Sequence, residues 1–363
     1  MRHRPQHVTG SREQVRAVLA YKNTQINRNV SHVGLGVTAQ LTQKTLLAAG
    51  YHAETWAVDS APELELRLAA AQMTAARAGA HPVSHVVIAA PWIEAVQLQG
   101  MIARHPDVQW VVECHSNFGF LQADPAGARL MRDAATLDAG SHNFRVAGNC
   151  RKFCDTWAAA YGGRMMLLPN LYDVSTIVPV GQRQPWQPGH TLRVGLFGAV
   201  RPLKNHTTAV AAALRLAADL RNDVEIHISE GRVESGGVAL DAVAQLAANV
   251  PGARLVPSGW RSWPEFRRLV GTMHVLLQPS FTESFNVVTA DGIASGVASV
   301  VGDAIDWVPR DWVACADDAG DVARVARRLL HDAHAVAAGQ AALRAYVADG
   351  LRHWASYLTG GAV

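Results

Sequence analysis

At 363 residues the chain is too long for one ordinary core and suits two domains. A hydrophobic content of 49% against 17% charged residues excludes a disordered chain, and no apolar run reaches the roughly 18 residues of a membrane span. Net charge is +3, but residues 1–30 carry Arg2, Arg4, Arg12, Arg16, Lys22 and Arg28 against Glu13, a local +5 that leaves −2 for the remainder. Such a basic arm suits phosphate backbones or anionic lipid, and it also suits a solvated terminus.

Taken in chain order, apolar strand-like runs alternate with helical patterns. The first half offers VRAVLAYK, HAETWAV, SHVVIAA, VQWVVECHS, FRVAGN and RMMLLPN; the second offers TLRVGLFGA, VEIHISE, ARLVPSG, HVLLQPS, ASVVGD and WVACAD. Strands of this length between helical stretches argue parallel sheets with helices on both faces. The fold class expected is α/β, two doubly wound Rossmann-like domains facing a cleft. The domains are residues 1–177 and 192–340, with VPVGQRQPWQPGHT (178–191) as a Pro/Gln/Gly-rich linker. Residues 341–363 form a last helix whose Leu351, Trp354 and Leu358 share one face.

The polar N-terminus lacks a secretory apolar segment, and four cysteines make neither a disulfide framework nor a CxxC pair, so a reducing, cytoplasmic setting is expected. Cys150 and Cys154, one helical turn apart, read as half-buried thiols, with a zinc pair as the lesser reading.

Ligands of doubly wound sheets bind beyond the carboxyl ends of the strands, and the candidate residues all follow predicted strands. In the first half, HVGLGVTAQLTQKTL sets Gly34 and Gly36 before a helix, where glycine permits close backbone approach. His115 ends the strand in VVECHSNFGF. In the second half, Gly198, Arg201 and Lys204 follow one strand. QPSFTESFNVVTADGIASGVASVV then places Glu283, Ser284, Phe285, Asn286 and Asp291 about a helix N-terminus. Its free N–H groups suit a diphosphate, and the two carboxylates suit sugar and ribose hydroxyls as acceptors. Taken alone, that stretch reads equally well as a helix capped by acidic residues.

Three segments together resemble the retaining glycosyltransferases of family four and their GT-B-type relatives. LRVGLFGAVRPLKNHTTAVAAAL is similar to the strand, glycine and Arg/Lys pair that grip the donor diphosphate, and the Glu283–Asp291 stretch to the two-acid motif. FRVAGNCRKFCDTWAAAYGGRMMLLPNLYD is similar to the end of the first domain, with Pro169, Asn170 and Asp173 closing it. The resemblance covers most of the chain and is weakest before about residue 30. It departs in two places: Ala199 stands where an Arg directly follows the glycine, and Asp291 stands where the family has Glu.

The resemblance implies a hexose transfer with retention from a nucleoside-diphosphate sugar, UDP-glucose first, to an acceptor hydroxyl. Lys204 and Arg201 would hold the diphosphate, Glu283 the sugar hydroxyls with the backbone of Ser284, Phe285 and Asn286, and Asp291 the ribose. His115 would sit near the donor sugar, and Gly34 and Gly36 would face the acceptor. Gly231 and Arg232, with Trp260, would wall the base. The last helix would cross back to the first domain. No DxD pair occurs, so no metal or other cofactor is expected. The acceptor is left open among small sugars, a protein and DNA. The basic arm motivates one specific case, a DNA 5-hydroxymethylpyrimidine glucosyltransferase that flips its base. A sugar-nucleotide epimerase and a non-catalytic nucleic-acid-binding module stand as alternatives.

Overall fold

A computed structural model describes residues 12–23, 33–163, 165–182, 186–230, 233, 237–259 and 261–360. The chain divides into two units, Met1–Asp173 with Val347–Val363, and Val174–Tyr346.

The first unit alternates β1 (Arg16–Lys22), α1 (Val33–Ala48), β2 (His52–Val58), α2 (Ala61–Ala78), β3 (His85–Ala89), α3 (Ala95–Arg104), β4 (Gln109–Cys114), the short α4 (Phe118–Leu121), α5 (Pro125–Asp138), β5 (Phe144–Gly148), α6 (Arg151–Tyr161) and β6 (Met166–Leu167). The strands pair in parallel in the order β2-β1-β3-β4-β5-β6. Alternate side chains along each strand enter two different cores. Val18, Ala20, Val86, Ile88, Trp110 and Val112 pack with α2, α3, α5 and α6, whereas Ala17, Leu19, Val87 and Val111 pack with α1. A sheet covered on both faces therefore reads as continuous apolar runs, and this is why the strands were visible in the sequence. Local signals fix the helix ends. Ser60 caps α2 by accepting from Glu63 N, and Gly79, at φ +61°, ends it.

The second unit contains β7 (Leu192–Leu196), α7 (His206–Leu220), β8 (Val224–Ser229), α8 (Val238–Ala247), β9 (Ala253–Ser258), α9 (Trp263–Val270), β10 (Val275–Gln278), α10 (Val287–Ala294), β11 (Ser299–Val301), α11 (Ala319–His331) and the start of α12 (Ala335–Thr359). Its sheet is also parallel, in the order β11-β10-β7-β8-β9. WVACAD, expected as a strand, is not one. Trp312 ends a short 3-10 turn and only Val313 bridges Val301, because Trp312 is drawn wholly into the core against Gly339.

The end of α12 belongs to the first unit. Trp354 and Leu358 are buried with Leu168 and Leu171, Trp354 Nε1 donates to Pro169 O at 2.8 Å, and Gly350 leaves room for Leu171. The expected linker is instead part of the second unit. Val178 N donates to Ala294 O at 2.9 Å, Gln340 Nε2 donates to Val178 O, and Trp186 is buried. The basic N-terminal segment is not one arm either. Arg16 and Lys22 lie in β1, where Arg16 Nε donates to Glu54 at 2.6 Å, while Arg2, Arg4 and Arg28 lie outside the described residues. Cys150 and Cys154 are buried rather than half-buried. Among the described residues no group of three or more His, Cys, Asp or Glu could hold a metal ion, and no helix is long and apolar enough to cross a membrane.

Candidate functional site

In the second sheet the chain leaves the centre in opposite directions from β7 and β10, which are hydrogen-bonded neighbours. The crevice at that reversal is where doubly wound sheets bind ligands, and the two motif loops follow these two strands. After β7 comes Gly198 at φ +111°, a backbone that a side chain resists; Lys204 Nζ lies 3.9 Å from where its Cβ would stand. Arg201 is extended, Pro202–Lys204 form a 3-10 turn, and Asn205 at φ +56° opens α7. After β10 the chain runs Pro279 to Asn286, and α10 follows.

Hydrogen bonds stitch the loops together. Asn205 Nδ2 donates to Pro279 O at 3.1 Å and to Ala316 O at 2.6 Å, and Phe281 N donates to Leu203 O at 3.1 Å. The Lys204 ammonium meets Glu283 Oε1, and these two side chains are only 12% and 10% exposed. A pair so withdrawn from water interacts more strongly than a surface pair. Asn286 Nδ2 donates to the same Glu283 oxygen at 3.1 Å. Beside them His206 is buried, with its pKa lowered to about 4 by burial first, and then by the charges of Lys204 and Arg201. It is neutral at pH 7, so the cationic character here comes from Lys204 and Arg201.

Ser284 is partly exposed, while Phe285 is a core residue, stacked 5.3 Å from Trp307 and 5.1 Å from Tyr346, its carbonyl accepting from Trp307 Nε1. Asp291 is 1% exposed and accepts from Trp263 Nε1 at 3.0 Å, a contact between α10 and α9. Trp263 was missed in the sequence, where Trp260 drew attention. The signal was the Ser262-x-x-Glu265 capping box, which starts α9 at Trp263 and so aims its indole. Gly231, Arg232 and Trp260, named for the base, lie outside the described residues.

In the first unit His115 follows β4, its Nε2 3.4 Å from Glu113 Oε2 and its Nδ1 3.5 Å from Asn149 Nδ2. Glu113, which the sequence reading passed over, is 4% exposed and its Oε1 has no hydrogen-bond partner among the described residues. Gly34 and Gly36 are corrected: both lie in the first turn of α1, not in a loop before it. Gly36 serves packing, since a Cβ there would stand 3.3 Å from the Tyr21 ring.

No family model matches the chain, and no curated protein sequence matches it. Solved structures do. Sucrose-phosphate synthase from Thermosynechococcus elongatus superposes with a TM-score of 0.63 at 15% identity, over 94% of this chain and 98% of that one. Anabaena HepE in complex with UDP gives 0.61 at 14% identity, over 95% and 100%. The chain has the GT-B glycosyltransferase fold. A TarM mutant from S. aureus bound to fondaparinux, α-GlcNAc-glycerol and UDP gives 0.52 at 13% identity. That match covers 75% of this chain but only 55% of TarM. Within this fold, the carboxyl edge of the second sheet, where Lys204, Glu283 and Asn286 meet, is the candidate site among the described residues.

Proposed function

We propose that the chain is a glycosyltransferase that moves a hexose, glucose in the first instance, from a UDP-sugar to an acceptor hydroxyl with retention at the sugar carbon. The observation that carries this reading is the Lys204–Glu283 pair at the reversal point of the second sheet: one fixed cation and one fixed acceptor, mostly withdrawn from water, on two loops bonded to each other. The UDP in the complexes of HepE and TarM supports the choice of nucleotide.

In the transfer, the bond from the anomeric carbon to the diphosphate oxygen breaks, and a bond from the acceptor oxygen to that carbon forms. The acceptor proton leaves with the diphosphate. Negative charge grows on the distal phosphate as the bond breaks, and Lys204, assisted by Arg201, stabilises that charge without reorganising. Glu283 accepts from sugar hydroxyls and fixes the donor's orientation. Gly198 leaves the backbone after β7 open to close approach of the phosphates. No metal is required, because the cationic role falls to side chains. The acceptor hydroxyl is left unspecified: half the cations that suggested a nucleic-acid acceptor are built into or beside β1.

The test is calorimetric titration with UDP, UDP-glucose and other nucleoside-diphosphate sugars, then transfer assays with the tightest donor against an acceptor panel that includes hydroxymethylcytosine DNA. Saturable UDP-sugar binding with a glycosylated product, insensitive to EDTA, is expected. Binding of no nucleotide sugar overturns the reading; an epimer formed from donor alone reassigns it; loss of activity with EDTA and recovery with magnesium overturns the metal-free part.

A further inference from the structure

Asn286 holds a backbone conformation of φ +61° and ψ +84°, which glycine adopts freely and a side chain resists. What the side chain does there is therefore informative. Its Oδ1 accepts from Thr289 N at 2.9 Å and caps α10. That bond fixes which way the amide points, and both N–H groups of Nδ2 are then directed at oxygens: Gln278 Oε1 at 3.2 Å and Glu283 Oε1 at 3.1 Å. An amide nitrogen has two hydrogens, so the donor capacity is fully used. Gln278 is oriented in the same way. Its Nε2 donates to Phe197 O at 3.1 Å, so its Oε1 must face Asn286. Asn286 and Gln278 are 5% and 3% exposed.

The result is a closed circuit. It starts at the carbonyl of Phe197, beside Gly198, passes through Gln278, Asn286 and Glu283 to Lys204, and returns along the chain. The two amide orientations in it are dictated by a backbone N–H at Asn286 and a backbone carbonyl at Gln278. A cap alone does not call for it, since aspartate caps as well as asparagine. The two donated bonds are what asparagine adds.

We propose that Asn286, oriented by Gln278, is a positioning residue that holds the Glu283 carboxylate, and through it the Lys204 ammonium, in the arrangement the reaction uses. The inference rests on the proposed sugar transfer.

Three variants test it against a purely structural role. Asn286→Gly suits the backbone and removes the donors. Asn286→Asp keeps the cap and turns a carboxylate oxygen toward Glu283 and Gln278. Gln278→Glu keeps the acceptor for Asn286 and loses the bond to Phe197. Bonds to a charged group of this kind translate to about a ten- to hundred-fold loss in kcat, expected for the Gly and Asp variants, with a smaller loss for Gln278→Glu. Selectivity between UDP-glucose and UDP-galactose should fall with it in assays run well below the Tm of each variant, since Asn286→Gly also leaves Thr289 N and Gln278 Oε1 without their Asn286 bonds. Full kcat and selectivity in either Asn286 variant overturns the proposal, as does an activity loss that merely tracks a lowered Tm. Glu283→Gln is the control that separates the two failures. If it is impaired while the Asn286 variants are not, only this inference fails; if the parent chain transfers no sugar, the underlying reading fails and takes this one with it.

Discussion

The carboxyl edges of the two sheets were built by the same rule and finished differently. Beyond β7 and β10, Lys204, Glu283, Asn286 and Gln278 form a chain of mutual hydrogen bonds, and Asn205 donates to the Pro279 and Ala316 carbonyls beside them. Beyond β4 and β5, His115 stands 3.4 Å from Glu113 and 3.5 Å from Asn149, and Glu113 Oε1 is buried without a hydrogen-bond partner among the described residues. A preorganised polar network stabilises developing charge because its dipoles are already in place. The fold supplies two comparable edges, and at the second the Lys204–Glu283 pair sits within a fixed polar network, on which the proposed chemistry is centred.

The largest break in that comparison comes from the ammonium group. Lys204→Ala should lower kcat by about 10²–10³-fold, the usual cost of removing one preorganised electrostatic group, while His115→Ala costs less. Steady-state kinetics on folded protein measure both. Equal losses would mean that the two edges share the work and that the asymmetry seen in the hydrogen bonding has no functional counterpart.

Acid should act on both units alike. His85 in the first unit is lowered to about 4 by burial, and His206 in the second is lowered to about 4 by burial and by Lys204 and Arg201. Unfolded histidine titrates near 6.5, so between those values the unfolded chain binds the extra proton and the folded chain does not. Each site thus contributes stability that is present above pH ~6.5 and lost as pH falls toward 4, on the order of 3 kcal/mol apiece. Calorimetric Tm values from pH 7.5 to 4.5 should decline. His85→Gln and His206→Gln should each flatten the slope, whatever they do to Tm at pH 7. An unchanged slope in either variant removes that histidine from the account.

Asp291 sharpens the division between site and scaffold. With Trp263 Nε1 as partner and 1% exposure, its carboxylate belongs to the packing of α9 on α10. Asp291→Ala leaves that indole N–H without its partner and should cost roughly 1.5–3 kcal/mol of stability, with UDP affinity measured by calorimetry changed little. A folded variant of unaltered Tm that binds UDP ten-fold more weakly would restore the ribose role and overturn the structural one.

Most of the architecture was legible because a sheet covered on both faces writes continuous apolar runs into its strands. WVACAD read wrongly for a related reason. It has strand composition, yet Trp312 is claimed by the core beside Gly339, and composition does not distinguish a buried turn from a strand. Lys204 and Glu283 were legible because their loops follow strands with recognisable spacing. The relay through Gln278 and Asn286 was not. Gln278 ends an apolar strand and Asn286 looks like an ordinary cap, and only coordinates show that their amides face each other across the strand–helix junction. Spacing likewise placed Asp291 on α10 but could not show that its carboxylate meets Trp263.

The smallest effect is expected at the softer edge. Glu113→Gln replaces a buried carboxylate with an amide of the same shape, keeping an oxygen available to face His115 Nε2 and removing a charge from a site that is 4% exposed. Burying an ion whose bonds are incomplete is costly, so its neutral counterpart should be no less stable, with Tm within about 2 °C of the parent or above it. Glu283→Gln is the matched change at the other edge. It removes the partner of an ammonium that is itself mostly buried, and an ammonium left so has no compensating charge. Differential scanning calorimetry of the two variants therefore compares the edges directly: Glu283→Gln should lose stability and Glu113→Gln should not. If Glu113→Gln proves the more damaging, the carboxylate at the first edge is held by its surroundings as firmly as Glu283 is, and the distinction drawn between a finished and an unfinished edge falls.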